Sequence, residues 1–296
     1  MRIRYLAWIW PAFRTFFLIG MSYVVLYPML TMLTYSFRTA SDVLDPSVVW
    51  IPRSVTLDHI WTAWNKLKYA ESFRNTVEID VISTLLQVFS CALVGYGFAK
   101  YQFWGRGLLF GLVLFTIVVP PQTVTVPLYL QYRYFNPPGL GEINLLNTGW
   151  TFYLPSLFGV GLRSGLFIYI FRQFFRGMPN ELLDAAKMDG SGHFRTFFRI
   201  MLPNALPAIM TVFLFSFVWH WNDFALSSMF LHNKHQTLSL MLAKGIDMLG
   251  RNINQDPVTL IVANASALLV AIPPLIVFAV AQRYFIESVE RTGIKG

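Results

Sequence analysis

The chain has 296 residues, of which 55% are hydrophobic and 13% charged, with a mean hydropathy of +0.51. Soluble domains carry about a quarter charged residues, so this composition excludes an ordinary soluble globular protein and points to a polytopic membrane protein. The formal charge of +8 is spread without a Lys/Arg-rich run or basic-aromatic stripe, which argues against nucleic acid as a partner. The single cysteine, Cys91, excludes an internal disulfide and a multi-cysteine metal site.

A spanning helix needs roughly 20 mainly apolar residues, and six segments meet that need. The first, 15–37, follows Arg2, Arg4 and Arg14 and has no small-residue cleavage site after it, so it reads as a span rather than a cleaved signal. The second, 73–99, carries Glu78 and Asp80 near one end, two apart and so on different helix faces. The third, 107–132, contains Pro120, Pro121 and Pro127, and the fourth, 148–171, contains Pro155 with Arg163 midway. The fifth, 205–231, holds Trp221-Asn222-Asp223-Phe224, and the sixth, 258–285, holds Pro273-Pro274. Proline removes a backbone donor and kinks a helix. Kinked spans suit a polar path that opens and closes, although membrane helices also tolerate proline without such a role.

Basic residues orient the spans. With the N-terminus inside, thirteen Lys and Arg fall on the inner side and nine outside. That bias favours both termini on the cytoplasmic side.

Between the fourth and fifth spans lies a polar island, 179–203. Pro179-Asn180 before Glu181 is a helix-start signature, with Asn180 as the expected cap. Glu181 and Asp184 sit in the first turn, where the helix dipole favours acids. Ala185 and Ala186 add helix propensity and let another surface approach closely. Gly190, followed by Ser191-Gly192, ends the helix. Phe194, Phe197 and Phe198 give an apolar face, and Arg195 and Arg199 a basic one. Leu202-Pro203 closes the island. The bare pattern also fits an amphipathic helix lying on the membrane without a partner.

Four intramembrane charges are candidate pathway groups by the cost of burying them. Arg163 could meet a substrate carboxylate or hydroxyls, or pair with an acid elsewhere. At most one of Glu78 and Asp80 would line a pathway. Asn222 and Asp223 offer the several hydrogen bonds that a sugar requires, with Trp219, Trp221 and Phe224 available for stacking. A capping or interhelical role serves equally for that group. His232 and His235 are too few for a metal site.

The ordered spacing of the island, Asp184-Ala185-Ala186, then Gly190, then Ile200-Met201-Leu202-Pro203, resembles the cytoplasmic loop of permease subunits in bacterial ATP-binding-cassette importers. The likeness is specifically to the maltose-type second permease of the carbohydrate-uptake family. It extends to Val118-Val119-Pro120-Pro121-Gln122 with Pro127-Leu128-Tyr129, to Trp221-Asn222-Asp223-Phe224, and to the tail Gly293-Ile294-Lys295-Gly296. One departure is Asp184, where the family usually has Glu.

The resemblance implies an all-α membrane protein. Residues 1–296 would form one permease domain of the type I importer fold, with six transmembrane helices and a short cytoplasmic coupling helix between helices 4 and 5. It implies that Glu181, Asp184, Ala185, Ala186, Asp189, Gly190, Phe194, Leu202 and Pro203 engage an ATPase. Arg163, Trp221, Asn222, Asp223 and Glu78 are the pathway candidates. The implied partners are a second homologous permease subunit, two ATPase subunits that hold ATP and Mg, an extracytoplasmic solute-binding protein, and a sugar or oligosaccharide. Surrounding lipid of a bacterial inner membrane completes the setting. Arg163 leaves room for an acidic oligosaccharide built from uronic acids.

No G-x-x-x-x-G-K-[ST] phosphate loop is present, so the chain itself is expected to be neither an enzyme nor a cofactor or metal binder. The competing class is an ion-coupled secondary transporter or channel, which would need no cytoplasmic dock. Dispersed acids argue against a membrane-embedded transferase.

Overall fold

A computed structural model describes residues 2–139, 141–232, 234–250 and 257–293. Among these residues the structure is helical, with one isolated antiparallel bridge between Phe135 and Ile143. The helices are α1 (Arg2–Ser36), α2 (Ala40–Leu44), α3 (Asp58–Lys66), α4 (Tyr69–Lys100), α5 (Arg106–Val118), α6 (Pro121–Arg133), α7 (Trp150–Leu157) and α8 (Ser164–Gly177). They continue as α9 (Glu181–Met188), α10 (His193–Thr196), a π-helical turn (Phe197–Met201), α11 (Leu202–Asn204), α12 (Leu206–Trp221), α13 (Ala225–Phe230), α14 (Leu238–Gly250) and α15 (Pro257–Gly293).

By length and apolarity, three helices can cross a bilayer: Trp10–Ser36, Tyr69–Lys100 and Val258–Gln282. Two further crossings result if each bent pair counts as one, α5 with α6 at 103° and His193–Asn204 with α12 at 78°.

The expected third and fourth spans are therefore not continuous helices. The third breaks at Val119-Pro120: Val119 is extended, as a residue before proline prefers, and Pro121 opens α6 at its first position. The fourth divides into α7 and α8 around residues 158–163, where Gly159 and Arg163 are both left-handed. The fifth is α12 and α13, separated at residues 222–224. Pro273 and Pro274, in contrast, lie inside an uninterrupted α15.

The chain forms two compact units, Met1–Tyr69 with Leu242–Ile272, and Ala70–Met241 with Pro273–Gly296. In the first, α3 packs on α15 through Ala63, Val262 and Ala265, and the Tyr69 hydroxyl donates to Leu269 O at 3.1 Å. Residues 10–30 of α1 are exposed along their whole length. Only lipid or another chain can cover such a face.

The second unit carries the candidate sites. Its main core joins α4, α8, the π turn and α12 through Tyr96, Phe167, Phe171, Phe175, Phe197, Met201 and Val212. Helices in lipid gain little from apolar transfer and depend on close packing, so small residues sit where backbones meet. A Cβ on Gly95 of α4 would lie 2.6 Å from Phe171 Cβ and 3.0 Å from the Arg172 nitrogen of α8. Gly165 of α8 is equally tight against α5, where a Cβ would fall 2.8 Å from Val113 O. Gly95→Val should therefore lower the thermal unfolding midpoint of the detergent-purified chain, since overpacking costs ~1–3 kcal/mol. Gly97→Ala, whose Cβ meets nothing within 4 Å, should leave the midpoint unchanged. Equal behaviour of the two variants in a thermal scan would contradict this contact.

Candidate coupling loop and pathway residues

The island 179–203 is held from both sides. At its entrance the Lys100 ammonium, at the end of α4, donates to Met178 O at 2.7 Å and to Asn180 Oδ1 at 2.8 Å. Asn180 is thus not a side-chain cap, as its position suggests. Its backbone is helical, its side chain makes no cap bond, and its carbonyl accepts from Leu183 and Asp184. Further on, the Tyr101 hydroxyl lies 2.9 Å from His193 Nδ1, and Tyr101 packs edge-on against Tyr96 of the core.

Helix α9 ends in a complete Schellman closure. Gly190, at φ +69°, donates to Lys187 O at 3.0 Å, and Ser191 donates to Ala186 O at 2.9 Å. A side chain at Gly190 would meet open space but a strained backbone. Beyond α10 the chain winds as a π turn, where Leu202 donates to Phe197 O. Pro203 has no N–H to continue the ladder, and the Asn204 side chain donates to Ile200 O at 2.7 Å.

This scaffold sorts the expected docking residues. Glu181, Asp184, Ala185, Asp189, Gly190, Phe194 and Pro203 are exposed, and Leu202 is half-buried. Ala186 is buried at 1% exposure, so the alanine pair divides into one outward and one packing residue. Asp184 pairs with Lys187 at 3.0 Å, both highly exposed, a contact too solvated to hold the carboxylate firmly. The three phenylalanines do not form one face. Phe197 is in the core against Tyr96 and Phe175, Phe198 stacks on Phe89, and Phe194 stands 71% exposed. Met188, absent from the sequence reading, is 89% exposed at the end of α9. A bulky apolar residue just before a polar helix terminus was the signal for it.

The pathway candidates disperse. Trp221 is buried at 1%, stacked on Phe217 and edge-on to Phe73, so it is a core residue of this unit. Asn222 donates to Val218 O at 2.8 Å at the end of α12. Asp223 caps α13, accepting from Ser227 N at 2.8 Å, Ser227 Oγ at 3.0 Å and Leu226 N at 3.3 Å. Glu78 is exposed, whereas its neighbour Asp80 is buried and accepts from Thr84 Oγ1 at 3.1 Å.

Arg163 is not inside a helix. It precedes α8 in the left-handed region, at φ +56°, and its guanidinium carbon lies 4.7 Å over the Trp219 ring. Gln87, fully buried on α4 and unremarked in the sequence, donates to Leu162 O and to Ser164 Oγ, both at 2.7 Å.

Known proteins share this organisation. The fold is similar to that of a bacterial ABC transporter involved in the import of the acidic polysaccharide alginate, with a TM-score of 0.75 and 21% identity over 94% of this chain and 96% of that one. The arabinooligosaccharides transport system permease protein AraQ of Bacillus subtilis is 30% identical, covering 95% of both chains. The polygalacturonan/rhamnogalacturonan transport system permease protein YtcP of the same organism is 25% identical over 95% of this chain and 96% of its own. Residues 92–289 match the family described as binding-protein-dependent transport system inner membrane component. That match takes in the coupling loop, Arg163 and most of the core, and the chain belongs to the family of inner membrane components of binding-protein-dependent transport systems.

Proposed function

We propose that the chain is one of two permease subunits in an ATP-driven importer of a sugar or oligosaccharide, and that the 179–203 loop is its contact with the ATPase. The observation that carries this reading is the loop itself, a short helix clamped at both ends that exposes Asp184, Ala185, Met188 and Phe194 together with two arginines. Met188 and Phe194 are large apolar side chains that a docked ATPase surface would cover. The substrate class is supported by relatives whose names refer to arabinooligosaccharides and to polygalacturonan.

In this reading the chain crosses the bilayer six times, through α1, α4, α5 with α6, α7 with α8, α12 with α13, and α15. Both termini and the loop lie in the cytoplasm, in keeping with the basic bias. The second permease completes the pathway, a solute-binding protein delivers the sugar outside, and two ATPase subunits bind ATP and Mg. ATP-driven closure of the ATPases would pull on α9, and its clamps to α4 would carry that motion into the spans. No observation favours an ion-coupled carrier or channel.

In nanodiscs holding the assembled importer, Asp184→Lys should cut sugar-stimulated ATP turnover about tenfold, equivalent to ~1.4 kcal/mol. Gly190→Leu should do the same by forcing a left-handed residue that costs ~1–2 kcal/mol. Undiminished turnover and ATPase copurification in both variants would contradict the docking role. Tyr101→Phe removes the hydroxyl contacts to His193 at 2.9 Å and to Tyr96 at 3.3 Å, each worth ~1 kcal/mol. It should keep the ATPase bound while raising the ATP consumed per sugar transported.

A further inference from the structure

We propose that Arg163, seated over Trp219 at the break between α7 and α8, is a carboxylate-binding subsite for the uronic acid units of an acidic oligosaccharide. The inference rests on the reading of the chain as a sugar permease and names the substrate class of its pathway.

The first observation is an uncompensated charge. Among the described residues Arg163 has no ion pair and no side-chain hydrogen bond, and its side chain is exposed. A guanidinium at membrane depth without an acceptor is costly, and such residues face a bundle interior or a water-filled cavity. The second is where it sits. Residues 158–163 are unwound between two helices of one expected span. Non-helical backbone at that depth is tolerated where protein buries it or where it lines an aqueous path. Arg163 is also at the amino end of the fourteen-residue α8, whose dipole favours an anion.

The third observation is that the position is built. A non-glycine residue in the left-handed region costs on the order of 1 kcal/mol or more and persists only where its surroundings hold it. Gln87 supplies that hold. Its amide nitrogen grips Leu162 O and Ser164 Oγ, the residues on either side of Arg163, and its Oε1 accepts from Ser216 Oγ at 2.6 Å. Ser216 lies one helical turn before Trp219 on α12, so one buried side chain registers both halves of the pair. Trp219 is itself fixed by stacking on Phe167 at 5.4 Å and on Phe215 at 5.6 Å.

The chemistry follows from these placements. A guanidinium lying over an indole keeps its edge donors available while the ring satisfies its face. That edge forms paired hydrogen bonds with a planar carboxylate, which an ammonium cannot reproduce. A carboxylate could also come from an acidic side chain of the second permease subunit, and the test separates the two sources.

The test uses the importer assembled with its own second permease, ATPase and binding protein in proteoliposomes. The probes are trigalacturonate, its trimethyl ester and a neutral trisaccharide. Wild type should import trigalacturonate and prefer it over the ester. Arg163→Gln should reduce trigalacturonate uptake about tenfold, with neutral uptake, basal ATP turnover and copurification of the second permease unchanged. Arg163→Lys should recover only part of the loss, because it restores charge without the fork.

Three results would overturn the proposal: no preference of wild type for the charged trisaccharide, unaltered uptake in Arg163→Gln, or loss of all uptake together with the second permease. The last would assign the carboxylate to the partner subunit. ATP-driven import of any sugar by wild type would still uphold the importer reading on which the proposal rests.

Discussion

Backbone hydrogen bonds that cannot be left open in lipid govern this structure. A chain that crosses the bilayer must satisfy each interrupted N–H and C=O internally, yet prolines and glycines interrupt several of its spans. At these interruptions a polar side chain takes over. Gln87 holds Leu162 O at the α7–α8 break, Lys100 holds Met178 O before α9, Asn204 holds Ile200 O beside Pro203, and Asp223 caps α13. Several residues that would look like substrate ligands in a sequence are thus structural substitutes for missing ladder bonds.

These substitutes also link the two candidate sites. Helix α4 carries Gln87 at the break that presents Arg163 and Lys100 at the root of the coupling loop. Thirteen residues of helix separate them, about 20 Å at 1.5 Å per residue. Between the two, α8 runs alongside with its backbone pressed against Gly95. Displacement of α9 by an ATPase would then be felt at the break beside Arg163.

Much of the loop was legible in the sequence because its signals are local. The start of α9 at Glu181 falls where Pro179-Asn180 places it, although Asn180 makes no cap bond, and the turn at Gly190 follows from the need for a positive φ. The proline-rich third segment declared a disturbance, although not that the two halves would meet at 103°. What stayed hidden depends on contacts between distant residues. Asn180 lost its cap role to a lysine eighty positions away, Ala186 is buried, Phe197 turned inward against Tyr96 of α4 and Phe175 of α8, and Trp221 was claimed by Phe73 and Phe217. Gly159 and Gly161 are the only local marks of the break at residues 158–163, and the Gln87 bridge that holds it comes from a residue far away in the chain.

The central claim is that the 179–203 loop faces the cytoplasm and is covered by the ATPase. Cys91 is the only native cysteine and is fully buried, so a Met188→Cys variant carries one accessible thiol. Its labelling by a membrane-impermeant maleimide, in right-side-out and inverted vesicles with and without the ATPase subunits, tests both parts directly. The account predicts labelling only in inverted vesicles, and protection when the ATPase is bound. Labelling from the outer face, or labelling that the ATPase leaves undiminished, would contradict it.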